Sequence, residues 1–236
     1  MAPSRATARQ QPVATDVEEV ERQKSAAATV AAGEVRDGMR LGLGTGSTVV
    51  HLLRALGGRH LTDVRCVATS PATELAARAM GLTVCELDEL GELDLAIDGA
   101  DQVDPAGWLV KGGGAALTRE KIVAAAARRF VVIVSAEKTV RELEPPVPLE
   151  VLRFGVMRTL ATIGDARVRA AQESSPDGNA IADYLGPVGD PRELSARLSG
   201  TPGVVEHGLF APELVSEIVI ARQDGVEHRA GGKPAV

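Results

Sequence analysis

Aromatic side chains are nearly missing from this chain, with one Trp, one Tyr and three Phe among 236 residues. That scarcity leaves no platform of ring faces on which single-stranded bases could stack. Positive charge is also in deficit, since the formal net charge is −6, so no broad surface suits a polyanion and any positive site is local. Both absences argue against a nucleic-acid partner. Cysteine occurs twice, at Cys66 and Cys85, each in an apolar strand-like run without metal-ligand spacing. Two reduced core thiols in a cytoplasmic protein are expected. No apolar run reaches the length of a bilayer span and the first residues lack a signal-peptide apolar segment, so no membrane association is expected. The histidines, His51, His60, His207 and His228, stand in no metal-binding or triad-like context and read as structural or solvent-facing.

What is present is enough chain for a large core, in one domain or two. Residues 1–15 carry Arg5 and Arg9 without an acid, faintly like a targeting peptide. Two prolines and no amphipathic period make a disordered tail the preferred reading, and 229–236 reads as a second tail. Residues 16–35 form an amphipathic helical pattern. Strand-like runs at 40–43, 64–68, 83–87, 93–97 and 130–134 then alternate with helical patterns at 48–56, 72–80 and 117–128. That order predicts an α/β fold, a Rossmann-like, largely parallel sheet with helices on both faces and ligands at the carboxyl ends of its strands. The proline cluster from Glu144 to Pro148 marks a boundary. Beyond it, strand 149–154, helix 157–163, strand 167–171, a turn at 175–179, strand 180–184, helix 191–199 and strand 204–208 give the βαββαβ order of a ferredoxin-like α+β domain. Runs at 217–222 and 226–228 predict a hairpin returning to the first sheet. The division expected is therefore 16–146 with 213–228 as an α/β catalytic domain and 147–212 as a smaller inserted one.

Polar clusters stand at four strand ends, Gly44 to Thr48, Thr69-Ser70, Asp98 to Asp101 and Ser135 to Lys138, where they could converge, and a glycine-rich run adds further chemistry. The run Lys111-Gly112-Gly113-Gly114-Ala115-Ala116-Leu117-Thr118-Arg119-Glu120-Lys121 leads three glycines into a helix N-terminus, so backbone N–H groups and the helix dipole favour an anion there. Lys111 adds a full charge, and Glu120 places a carboxylate, a possible general base, in the same helix. Alone, the run reads equally well as a flexible loop before a surface helix. Gly42-Leu43-Gly44-Thr45-Gly46-Ser47-Thr48 is a strand-to-helix glycine loop, but Ser47 takes the place of the third glycine of a dinucleotide fingerprint and no acid ends the second strand. Its hydroxyls suit a phosphate monoester instead. Asp98-Gly99-Ala100-Asp101 brings two carboxylates to the end of an apolar strand, where they serve either as an acid-base pair or as a turn whose first residue caps the backbone. Asp98, Asp101, Asp104 and Glu120 are also an oxygen-rich set that would suit magnesium. Lys138 stands just past a strand end, within range of the same place.

Together, these three motifs resemble the ribose-5-phosphate isomerase family of type A, in order and spacing as well as in wording, over about residues 16–228. The resemblance implies interconversion of D-ribose 5-phosphate and D-ribulose 5-phosphate through an enediolate, in the non-oxidative pentose phosphate pathway. No metal or organic cofactor is implied, and the partners are a small sugar phosphate and other copies of the chain, as a homodimer or tetramer. It implies Glu120 as the base moving a proton between C2 and C1, and Asp98 and Asp101 as the acids of ring opening and hydroxyl proton transfer. Lys111 with the amides of Gly112, Gly113 and Gly114 would stabilise the enediolate oxygens. Thr45, Gly46, Ser47 and Thr48 would hold phosphate, and Lys24 and Lys138 would be pocket lysines. After the second strand the chain reads Thr69-Ser70-Pro71-Ala72-Thr73-Glu74-Leu75, with Leu75 where the family commonly has lysine.

Two other readings compete. A non-catalytic sugar-phosphate-sensing domain would share the fold, but would normally follow a DNA-binding helix-turn-helix, and only one helix precedes the first strand. A methyltransferase would use the Gly42 to Gly46 loop yet leave the Lys111 run and the paired aspartates unexplained.

Overall fold

A computed structural model describes residues 13–169 and 174–234. The first sheet is built from β1 (Arg40–Leu43), β2 (Arg65–Ala68), β3 (Thr83–Val84), β4 (Leu93–Asp98), β7 (Ala127–Ser135), β13 (Glu217–Arg222) and β14 (Gly225–Ala230), and its helices are α1 (Val13–Ala32), α2 (Ser47–Gly57), α3 (Pro71–Ala79), the one-turn α4 (Leu87–Leu90) and α5 (Leu117–Ala126). Two short strands, β5 (Gln102–Val103) and β6 (Leu109–Val110), interrupt the alternation. The strand order is β14-β13-β7-β4-β1-β2-β3, and every pairing is parallel except that of β13 with β14. From β1 the chain winds outward through β2 and β3, then returns to β4 on the other side of β1. The carboxyl ends of β1 and β4 therefore flank the reversal point where open α/β sheets bind ligands.

Burial on both faces explains the near-continuous apolar strands. Leu41, Leu43, Leu95, Ile97, Val131 and Ile133 pack with the small residues Ala27, Ala28 and Ala31 of α1 and the leucines of α2. Ala96, Phe130, Val132 and Ile218 face α5 through Val123 and Ala124. Contact with α5 is close: a Cβ on Gly42 would stand 2.4 Å from Val123 Cγ1.

The second sheet uses β8 (Val147–Val151), β9 (Ala166–Val168), β10 (Ala180–Tyr184) and β11 (Val204–His207), with α6 (Val156–Ile163) and α7 (Pro191–Ser199) in the crossovers. Its antiparallel order β11-β8-β10-β9 is the βαββαβ path expected for this segment. Leu149, Val151, Leu160, Ala182, Leu194 and Leu198 form its core. The strand begins at Val147, so Pro148 lies within β8; its carbonyl accepts from Gly208 N at 2.7 Å. A third sheet, β12 (Leu209–Phe210) with β6 and β5, has no counterpart in the sequence reading, because two-residue strands carry too little periodicity to recognise.

Several boundaries differ from expectation. The first helix starts at Val13, inside the stretch read as a tail, and ends at Ala32; residues 1–12 lie outside those described. The run read as strand 83–87 pairs only at Thr83–Val84 and then turns into α4. Helix α5 gives way to strand at Ala127, short of the expected 128, a boundary that an alanine run without a stop signal does not mark. The strand expected at 167–171 spans Ala166–Val168, and residues 170–173 are outside the description. The segment 229–236 is docked rather than free as far as it is described. Arg229 and Ala230 complete β14, Gly231 N donates to Ser216 O at 2.9 Å and Lys233 N to Val215 O at 2.8 Å. The close seat of α5 has a direct check: Gly42→Ala should lower unfolding stability by about 1–3 kcal/mol through overpacking, measured by denaturant unfolding, and an unchanged midpoint would contradict that packing.

Candidate active site

The three motifs meet in one cleft of about 470 Å³, lined by Thr45 to Thr48, Gly99 to Asp101, Lys111 to Gly114, Glu120 and Lys138. Parallel pairing brings the β1, β4 and β7 carboxyl ends to one edge, and β6, paired with β5 and β12 in the third sheet, delivers the Lys111 run to the same place. Asp98 closes β4 beneath the cleft and is only 2 % exposed. Its Oδ1 accepts from Gly99 N at 2.7 Å and Thr45 N at 3.1 Å, and its Oδ2 accepts from Lys111 Nζ at 2.7 Å. Lys111, also buried, donates to Gly99 O at 2.6 Å and has Glu120 Oε2 at 3.2 Å. That Glu120 oxygen is buried without a hydrogen-bond partner among the described residues.

Two carboxylates and one ammonium thus share a dry site. Burial pushes the Glu120 carboxyl up to about 8, with the Asp98 charge adding to the rise and Lys111 opposing it. Burial raises Asp98 as well, against Lys111 and the Gly99 and Thr45 amides. Three donors hold Asp98 at 2.7 to 3.1 Å, whereas Glu120 Oε2 has only the Lys111 ammonium at 3.2 Å, so Glu120 is the group that holds its proton into the neutral range. Burial alone would lower Lys111, but Asp98, Glu120 and Asp101 raise it, and it stays charged. The ammonium lies between Asp98 and Glu120, where a magnesium ion would have to sit, and among the described residues no acidic, histidine and cysteine grouping is set to hold a metal.

Glycine is required here by space. A Cβ on Gly44 would fall 1.8 Å from Asp98 Cγ, and one on Gly113 would fall 2.8 Å from Asp101 Oδ1. Gly112 and Gly46 have positive φ, 106° and 128°, a region that favours glycine. Gly113 N donates to Asp101 Oδ2 at 2.8 Å, so this amide is committed to orienting the aspartate. Helix α2 begins without a side-chain cap or an acid in its first turn, which leaves its amino end favourable to an anion.

Lys24 does not join the cleft lining. Its Nζ is 2.7 Å from Glu21 Oε1 on α1, and Glu21 in turn meets His51 Nε2 of α2 at 2.8 Å. Thr69 and Ser70, at the end of the second strand, and Thr73 support the Thr45 loop, a role the motifs alone do not reveal. Thr45 Oγ1 lies 2.7 Å from Thr69 Oγ1, Thr73 Oγ1 donates to Gly44 O at 2.9 Å, and Ser70 Oγ accepts from Thr73 N at 3.2 Å. The Ser70-Pro71 pair, an N-cap followed by a first-turn proline, was the available signal. Leu75, which replaces the family's lysine, is 73 % exposed.

Comparison with known proteins identifies the family of the chain. A sequence model described as ribose 5-phosphate isomerase A (phosphoriboisomerase A) matches residues 65–225. Ribose-5-phosphate isomerase A of Caulobacter vibrioides is 42% identical over 218 residues, covering 86% of this chain and 96% of its own. That of Methanosarcina acetivorans is 44% identical over 216 residues, covering 86% and 92%. Among solved structures, ribose 5-phosphate isomerase A from Neisseria gonorrhoeae superposes with a TM-score of 0.85 at 29% identity, covering 90% of this chain and 97% of its own. A D-ribose-5-phosphate isomerase in complex with phospho-erythronic acid superposes with a TM-score of 0.83 at 33% identity, covering 89% and 99%. Sequence and fold agree, and the chain belongs to the ribose-5-phosphate isomerase A family.

Proposed function

We propose that this chain catalyses the interconversion of D-ribose 5-phosphate and D-ribulose 5-phosphate, an aldose-ketose isomerisation of the pentose phosphate pathway. The observation that carries the reading is a carboxyl with raised pKa, Glu120, beside a buried ammonium in a cleft whose far wall is an uncapped helix N-terminus. The non-catalytic sensing domain gains no support, since the relatives matching most of this chain are isomerases.

The phosphate lies against Gly46, Ser47 and Thr48 at the amino end of α2, with Lys138 supplying charge from the end of β7. Thr45 shapes that loop more than it binds, because its N–H is committed to Asp98 and its hydroxyl meets Thr69. Anchoring the remote phosphate converts binding energy into orientation of C1 and C2. Glu120, once ionised, takes the proton from C2 of the open-chain aldose and returns it to C1. The base pKa near neutrality suits transfer in both directions. Lys111 stabilises the developing negative oxygen, aided by the Gly112 and Gly114 amides. Asp101 exchanges protons with the sugar hydroxyls, and Asp98, held by three donors, keeps the Lys111 ammonium in place. None of these steps calls for a metal or organic cofactor.

The α/β unit of residues 16–146 and 213–228 carries the chemistry, and 147–212 is an inserted smaller domain. Exposed Phe154 and Met157 on that insert, 94% and 70% accessible, support a homo-oligomer. Cys66 and Cys85 are free thiols, in keeping with a reducing cytoplasm, and among the described residues no helix is long and apolar enough to cross a membrane.

Glu120→Gln should lower kcat by roughly two to four orders of magnitude with KM little changed, the range for losing a general base; a coupled ribose 5-phosphate assay with turnover close to wild type would remove Glu120 from that role. Lys138→Ala should raise KM by about tenfold, the scale of one charge-assisted hydrogen bond, while leaving kcat near wild type, and an unchanged KM would contradict its place in the phosphate anchor.

A further inference from the structure

Three of the four consecutive side chains Thr118, Arg119, Glu120 and Lys121 reach into the 147–212 insert, and Glu120 alone faces the cleft. Thr118 Oγ1 donates to the buried Glu150 Oε2 at 2.5 Å. Arg119 forms a two-point pair with Asp177, Nε to Oδ2 at 2.9 Å and Nη2 to Oδ1 at 2.7 Å, exposed at the rim. Lys121 makes the charged link nearest the core. Its Nζ donates to Glu206 Oε1 at 2.6 Å and His207 O at 2.7 Å, and stands 4.9 Å from the centre of the buried Phe210 ring.

The segment that receives Lys121 also holds Lys111. Lys111 N donates to Gly208 O at 2.8 Å, and Gly208 N donates to Pro148 O at 2.7 Å. A Cβ on Gly208 would fall 2.2 Å from Lys111 O, so the two strands touch through their backbones. The Lys111 ammonium stands 5.4 Å from the same Phe210 ring. His207 stiffens this corner: its Nδ1 accepts from Leu209 N at 3.2 Å, and its Nε2 lies 3.1 Å from Ser195 Oγ and 3.0 Å from Ser199 Oγ of α7. One short stretch, Glu206 to Phe210, thus touches the helix bearing Glu120 and the strand end bearing Lys111.

We propose that Lys121 is a positioning residue for the isomerisation, clamping α5 onto the Glu206 to Phe210 segment so that Glu120 keeps its spacing from Lys111. The inference rests on the isomerase reading above and extends it, making the inserted domain the frame that sets the base against its cation. Displacement of a catalytic base by about 1 Å costs on the order of a hundredfold in rate. Among the described residues, Lys121 is the α5 cation that meets the insert away from the exposed rim, while Thr118 reaches Glu150 through a neutral hydroxyl.

The test compares wild type, Lys121→Met, Lys121→Arg and Glu206→Gln, using ribose 5-phosphate carrying protium or deuterium at C2. Lys121→Met keeps the apolar stem against Phe210 and removes the ammonium. It should lower kcat by about ten- to a hundredfold with KM within about twofold, with a C2 isotope effect on kcat at least as large as in wild type, because proton transfer has become slower. Lys121→Arg, which can still reach Glu206, should recover most of the loss. Glu206→Gln leaves the His207 carbonyl contact and should fall between, giving a second reading if Lys121→Met folds poorly. A merely structural role would lower kcat only by the unfolded fraction seen in circular dichroism, with no rescue by arginine. That outcome, or a Lys121→Met enzyme as fast as wild type, overturns the positioning role, whereas an inactive wild-type protein overturns the isomerase reading itself.

Discussion

The structure turns on placing two carboxylates and one ammonium together out of water. Asp98, Lys111 and Glu120 are each no more than 3 % exposed, and an uncompensated charge at such a depth is costly. Lys111 cannot neutralise both acids, so one of them must hold a proton or wait for a positive or hydrogen-bonding partner. Donor geometry decides which: Asp98 takes short bonds from the ammonium and two amides, and Glu120 Oε2 has only the longer 3.2 Å approach of the same ammonium. The excess falls on the residue placed to move a proton.

Most of the fold can be understood as what makes that cluster possible. Parallel strands bring the ends of β1, β4 and β7 to one edge, and Gly44 leaves the volume that the Asp98 carboxylate fills. Gly42 lets α5 lie close against β1 from the other side. The insert then ties down the exposed flank of α5 through Glu150, Asp177 and Glu206. The arrangement opposes folding at alkaline pH. Because the Glu120 pKa is higher in the folded chain than in the unfolded one, the folded state holds its proton to higher pH, and stability declines as pH rises from the ordinary carboxyl range through about 8.

The sequence exposed the architecture where its patterns were long. The apolar runs of β1, β4 and β7 and the βαββαβ order of the insert were readable, and the Lys111 to Lys121 run marked the site because its residue types are rare together. What stayed hidden depended on distances between segments. Nothing in the local pattern distinguishes the amide of Gly113, committed to Asp101, from that of Gly112. Lys24, implied by resemblance, is turned to Glu21 by a pairing that also involves His51, 30 residues from that glutamate along the chain. The two-residue strands β5, β6 and β12 have no period to detect, yet they carry Phe210 between the two lysines. The segment from Arg229 was read as a tail because polar composition does not reveal docking through backbone hydrogen bonds, as at Gly231 and Lys233.

The state of Glu120 is open to direct observation by a carbon-13 titration of glutamate carboxyls in the free protein, with Glu120→Gln identifying the resonance. The account predicts a midpoint near 8, with kcat/KM rising as pH increases toward it, because only the ionised carboxylate accepts the C2 proton. A midpoint in the ordinary carboxyl range, about 4.3, would contradict it.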